Sequence, residues 1–177
     1  PDGTYQFVEG EYMKADEYDM LLSDPSDFIL RYYLPRLYGT LEPISKLPAF
    51  RNMVGGTSFV SVLSYFLRPE FKQLAEKFSQ AAEEQAKFAK ASADFSAKME
   101  RLGFPSQQQR GNTPGGAPFD AVSDFLRGMR GAMLDMYRCP DKLMAACDKI
   151  LEWRIERSTP ANPKVKGEMV RGGGAGE

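Results

Sequence analysis

The segment PEFKQLAEKFSQAAEEQAKFAKASADFSAKMERL, residues 69–102, sets how the rest of the chain is read. Its apolar side chains fall at Phe71, Leu74, Phe78, Ala81, Phe88, Phe95, Met99 and Leu102. Gln85 and Ser92 fill the gaps, so the steps run three, four, three, four, the seam of an amphipathic helix with a heptad-like repeat. Glu83–Lys87 and Asp94–Lys98 stand away from the seam in the favourable i,i+4 order, each pair worth about 0.3–0.5 kcal/mol. At ~1.5 Å per residue such a helix is about 50 Å long, more than a compact domain needs. Two uses stay open: packing one face on its own domain, or pairing in a coiled-coil dimer whose seam Ala81, Gln85 and Ser92 weaken.

Around this helix the composition is that of an ordinary globular chain: 177 residues, 42% hydrophobic, 27% charged. Val, Ile and Thr together number only 16, so helix should dominate and strands be few. The net charge of −1 carries no electrostatic footprint for nucleic acid or anionic lipid. The longest apolar run, Phe59–Leu67, is interrupted by Ser61 and Ser64 and is far short of the ~20 residues of a membrane span. There is no histidine, which excludes an imidazole base, a His-dependent triad and a His-ligated metal within this chain. Cys139 and Cys147, eight residues apart, suit neither a zinc site nor a disulfide. Two thiols point to a reducing, cytoplasmic setting.

Upstream of the long helix, Thr4–Gly10 alternates weakly, as one strand or half a hairpin would. Asp16 is placed to cap a short helix through Leu22. Pro25 or Ser26 starts another, with Phe28, Ile29, Tyr32 and Tyr33 on one side until Pro35 disturbs it. Short helical pieces are expected at 41–46 and 48–54. Gly55-Gly56 breaks the chain, and Thr57 opens a stretch to Leu67.

Downstream, residues 104–110 read as a short strand and 111–118 as a Gly/Pro-rich loop without a phosphate-binding signature, best suited to a strand-to-helix turn. A helix over 119–137 should turn Val122, Phe125, Leu126, Met129, Met133 and Met136 inward. A second, over 141–157 behind Pro140, should bury Leu143, Met144, Cys147, Ile150 and Leu151. Asp120 and Asp124 lie in the first turns of the earlier helix, near its positive end. They are either carboxylates at a site mouth or helix-start charges, with Arg127 and Arg130 within reach. Pro1 begins in strand-like text and the chain closes on Arg171-Gly-Gly-Gly-Ala-Gly-Glu177, which together suggest an internal fragment.

The stretch Gly116-Ala-Pro-Phe-Asp-Ala-Val-Ser-Asp-Phe-Leu-Arg-Gly128, continued by Met133-Leu-Asp-Met-Tyr-Arg-Cys-Pro-Asp-Lys-Leu143, resembles the uroporphyrinogen decarboxylase superfamily. Residues 11–19 and 24–33 resemble its anaerobe-type, decarboxylase-like branch, and the likeness spans the chain to about Arg157. The resemblance implies an α/β fold: part of a (β/α)8 TIM-type barrel, with a helical insertion at about 15–102 and barrel strand-loop-helix units at about 104–157, in one fragment covering 1–177. A complete barrel takes about 250 residues.

It further implies a carboxy-lyase that removes the acetate carboxyls of a tetrapyrrole in porphyrin biosynthesis without a cofactor. The alternative within the superfamily is a corrinoid-dependent methyltransferase, with zinc and a corrinoid protein partner in its full-length form. Pro118, Phe119, Asp120 and Asp124 are then the substrate-binding residues at the barrel mouth. No catalytic residue or metal ligand is assigned. The family's substrate-contacting tyrosine falls at Asp124, and a carboxylate there repels an anionic tetrapyrrole, which brings the methyltransferase close behind the decarboxylase that leads. The reading of another class is a non-enzymatic helical interaction module, with a possible homodimer built on the 69–102 seam.

Overall fold

Proline and its neighbours set the helix starts. Asp24 accepts the Asp27 N–H (3.0 Å) through its side chain, and Pro25 follows as the first residue of a helix, where its missing donor does no harm. Arg68 is extended (φ −70°, ψ 142°), the conformation a following proline imposes, and the long helix begins at Pro69. The computed structural model describes residues 10–55, 57–104 and 116–158. They form α1 (Tyr18–Ser23), α2 (Pro25–Phe28), α3 (Leu34–Leu37), α4 (Glu42–Ser45), α5 (Ser58–Leu63), α6 (Pro69–Arg101), α7 (Pro118–Asp120), α8 (Gly128–Arg138) and α9 (Pro140–Ser158). Short 3-10 turns at Gly39–Leu41, Phe50–Met53 and Ser64–Leu67 join some of them.

Two segments are wound more loosely. Ile29–Tyr33 forms a π turn between α2 and α3, with the Leu34 N–H reaching back to the Ile29 carbonyl. Pro35 follows at once and brings no N–H for the Arg31 carbonyl, so the helix is underwound where the sequence predicted disturbance. Ala121–Leu126 is the second π turn. It closes with Arg127 N–H on the Val122 carbonyl (2.7 Å), and Gly128 (φ +69°) then turns the chain into α8. That left-handed conformation is why a glycine stands there.

Two compact units result. One combines residues of Pro1–Asn52 with Pro114–Glu156. Its core packs Met13, Tyr18, Leu21 and Phe28 against Val122, Leu126, Leu143, Ala146, Cys147 and Ile150. The Leu126 carbonyl accepts the backbone N–H groups of both Tyr12 (2.8 Å) and Met13 (2.7 Å), tying the two halves together. The other unit lies within Met53–Thr113 and Arg157–Glu177. There Phe71 meets Tyr65 and Phe66 edge-on (centroids 6.5 and 5.4 Å), Arg68 lies over the Tyr65 ring, and Val62 and Leu74 are buried.

The core of the first unit encloses a charged network. Arg127 donates through Nε to Asp135 Oδ2 (2.5 Å), and through Nη1 to the Met13 carbonyl (2.6 Å) and to Glu11. Tyr18 donates its hydroxyl to the same Asp135 oxygen (2.9 Å), and Tyr18 and Asp135 are wholly buried. Burial alone would raise the Asp135 carboxyl. The hydrogen bonds from Arg127 and Tyr18 outweigh it and hold the group below the usual carboxylate range. Burial, with Asp135 beside it, pushes the Tyr18 phenol upward, so it stays a donor. A second pair joins Arg36 to both oxygens of Glu17 (2.6 Å each), and this bond keeps Glu17 low. Arg31 takes Asp27 in the same forked way and also donates to the Leu47 carbonyl (3.0 Å).

The structure corrects the fold expectation. No strand occurs among the described residues and 82% of them are helical, so this is an all-helical fold and not an α/β, TIM-type barrel fragment. Between 116 and 158 the β-branched residues are Val122, Ile150 and Ile155, too few and too scattered for a strand. The span assigned to barrel units holds α7, α8 and α9. The strand at 104–110 and the 111–118 loop lie almost wholly outside the described residues, as does the opening strand before Gly10.

Helix faces are also corrected. On α8 the buried positions are Gly128, Ala132 and Asp135, and on α9 Leu143, Ala146, Cys147 and Ile150. Phe125, Met129, Met133, Met136, Met144 and Leu151, all expected inside, are exposed. Satisfying Asp135 with Arg127 and Tyr18 requires α8 to turn that side inward.

Asp135 and Glu17 have lower pKa values folded than unfolded. Their contribution is therefore full at neutral pH and is lost as the pH falls through the carboxylate range, below about 4. Urea midpoints measured from pH 7 to 3 should fall steadily, with a shallower acid loss in Glu17→Gln. Asp135→Asn should cost about 3–5 kcal/mol at pH 7, because it leaves the Arg127 charge without its one buried carboxylate, and Tyr18→Phe about 0.5–1.5 kcal/mol.

Candidate functional site

Two surfaces stand out once the cores are drawn, one in each unit. In the first unit, Pro118 and Phe119 of α7, Met136 of α8, and Leu143, Met144 and Leu151 of α9 line a half-open groove of about 410 Å³. Proline at the first position of both α7 and α9 brings apolar side chains to the two helix starts that flank it. The lining is hydrocarbon and thioether, with Asp148 the one charged side chain on it. Cys147 lends a thiol that burial pushes upward, so at neutral pH it is protonated and a poor nucleophile. Unbranched methionines adapt to varied apolar shapes. Chemically this groove can hold an apolar group.

Of the sequence-predicted site residues, Pro118 and Phe119 line the groove and Asp120 and Asp124 do not. Asp120 Oδ2 accepts the Ala117 N–H (2.8 Å), one half of a capping box, next to Gly116 at φ +90°. Asp124 accepts the Ser123 hydroxyl (3.0 Å). Arg127, expected to reach these carboxylates, points instead into the core toward Asp135 and Glu11. Among the described residues no group of three or more His, Cys, Asp or Glu side chains is placed to hold a metal ion, and no helix is long and apolar enough to cross a membrane.

The second surface is the seam of α6. This helix has 33 residues, of which only Phe71 and Leu74 are buried, both near its start. Farther along, Phe78, Phe88 and Phe95 are 50%, 70% and 64% exposed, and Leu102 just beyond the helix is 62% exposed. Ala81 and Gln85 on the same line are exposed, and Ser92 and Met99 are half-buried. Lys87 Nζ bonds Glu84 (2.6 Å) rather than Glu83, the partner predicted from spacing. The steps that proposed this seam were legible in the sequence. Its exposure was not, because a seam packed in its own domain and one facing outward have the same pattern.

No family model, no curated protein and no solved structure matches this chain. The likeness to the uroporphyrinogen decarboxylases thus rests on the residues that first carried it. The Arg127–Asp135–Tyr18 network is what the sequence reading missed. The available signal was an acid at 135 in helical phase with Gly128 and Ala132, among small residues rather than among charges.

The role of Asp120 is checked by stability. Asp120→Ala should lose about 0.5–1.5 kcal/mol in urea unfolding through its orphaned Ala117 N–H, and Asp120→Asn, which keeps an acceptor, less than half of that.

Proposed function

We propose that the chain is a non-enzymatic helical association module that forms homodimers through the α6 seam. The observation that carries this reading is the line of Phe78, Phe88 and Phe95 on the outward side of a 33-residue helix with only two buried positions. Apolar side chains in one continuous stripe mark an interaction surface, whereas scattered ones do not. A three–four repeat is the spacing at which one helix packs on another by knobs into holes. Fully burying a phenylalanine is worth about 1.5–3 kcal/mol relative to leaving it exposed. Three of them, each at least half exposed, give the seam a strong drive toward a second apolar helix. The same unit exposes Phe59, Val60 and Leu63 on α5, which adds to its apolar surface.

The free thiols of Cys139 and Cys147 support a reducing, cytoplasmic setting. Tetrapyrrole decarboxylation and corrinoid methyl transfer were expectations tied to a barrel mouth, and no observation in the helical fold favours either.

Sedimentation velocity across about 1–300 μM should show a dimer that dissociates on dilution. Phe88→Lys, at an exposed position, should shift the chain to monomer while keeping its helical circular dichroism and the thermal midpoint of the dilute, monomeric wild type. A wild-type chain that stays monomeric across the whole range overturns the reading.

A further inference from the structure

The exposed half of α6 carries information about orientation as well as about association. With Phe71, Phe78, Gln85, Ser92 and Met99 in one row of the seam and Leu74, Ala81, Phe88, Phe95 and Leu102 in the other, the two flanks differ sharply. One flank is Ala75, Ala82, Ala89 and Ser96, small and uncharged. The other is Glu70, Lys77, Glu84, Ala91 and Lys98. A parallel pair sets the charged flank of each helix against the small flank of its partner. Lys77 and Glu84 would then face Ala82 and Ala89 of the partner subunit, Phe88 would meet Phe88 and Phe95 would meet Phe95, and the polar Gln85 and Ser92 would each be stacked on themselves. An antiparallel pair sets charged flank against charged flank and small flank against small flank.

Resting on the association reading, we propose that α6 pairs with a second copy of itself in an antiparallel sense, with Ala91 at the two-fold axis and Glu84 facing Lys98 of the partner subunit on both sides of it. The register follows from size and charge together. It places Phe78 over the partner's Leu102, Gln85 over the partner's Phe95, Ser92 over the partner's Phe88 and Met99 over the partner's Ala81. Three of these four layers then match a large side chain with a smaller one, and all of Phe78, Phe88 and Phe95 are covered. The small flanks meet with Ala89 opposite itself and Ala82 opposite Ser96, which lets the two backbones approach closely.

Neighbouring registers fail on named residues. Sliding one heptad toward the helix start sets Lys77 against Lys98. Sliding two sets Glu84 against Glu84 and draws on Phe71 and Leu74, which are already buried. Sliding one heptad the other way leaves Phe78 uncovered. Glu84 accepts a hydrogen bond from Lys87 of its own helix and is exposed, as is Lys98, so both are within reach of a partner.

The test combines a charge swap with a distance. Glu84→Lys should weaken the dimer about tenfold or more in sedimentation equilibrium, since two attractive contacts become repulsive. Lys98→Glu should do the same, and the double variant Glu84→Lys/Lys98→Glu should restore wild-type affinity. In a parallel dimer all three would be close to neutral. Independently, a spin label on Ser79→Cys, with Cys139 and Cys147 replaced by alanine, should report an interlabel distance of about 35 Å at ~1.5 Å rise per residue, against under about 20 Å for parallel helices. A dimer that depends on Phe88 but shows the short distance and no rescue by the swap overturns the antiparallel register and leaves the association reading standing. A chain monomeric at every concentration overturns both.

Discussion

The first unit is organised around one buried ion pair, Arg127 with Asp135. Neither side chain tolerates burial alone: a lone charge in such an interior carries a penalty of several kcal/mol, and even a well-made pair is a weak net stabiliser. Its value here is in specifying position. Arg127 also reaches the Met13 carbonyl and Glu11, and Asp135 also receives Tyr18, so one guanidinium and one carboxylate fix the N-terminal segment, α1 and α8 together. Among the described residues no buried side-chain nitrogen or oxygen lacks a partner. The apolar core then has a single way to close.

Much of the helical layout was legible because its signals are local. Residues 68–102 were read as one helix and the structure gives Pro69–Arg101. The helix expected at 141–157 is Pro140–Ser158. Asp24-Pro25 opens a helix and Pro35 loosens one, each for reasons contained within four or five residues. Which face turns inward was less accessible. On α8 the general rule sends methionine in and aspartate out, and here it is reversed. The partner that makes Asp135 acceptable sits eight residues earlier, aimed by the left-handed turn at Gly128, and a second partner, Tyr18, lies 117 residues away.

The barrel expectation failed for a related reason. It rested on the order and spacing of residues in 116–143, and those same residues satisfy a helical segment: Pro118 starts it, Asp120 caps it, and Gly128 redirects it. At the site, Pro118 and Phe119 were named for a barrel mouth, and they line an apolar groove between helices instead. Asp120 and Asp124 were chosen for their charge, and their oxygens serve the Ala117 N–H and the Ser123 hydroxyl instead. The exposure of α6 depended on what packs against it, which a single strand of text does not record.

The joining of residues 10–52 with 116–156 in one core has a consequence for the order in which the molecule is made. During synthesis the early half emerges with Tyr18, Leu21 and Phe28 lacking the helices that cover them. At about 5–20 residues per second, several seconds pass before α8 and α9 arrive. Over that interval α6, whose first turns pack on the segment just before it, is the element able to form from local contacts. Closure of the first unit is then a late, long-range event, which loop-closure entropy slows. A ribosome-bound chain lacking α9 would be the species most exposed to chaperones and to its neighbours on the same message.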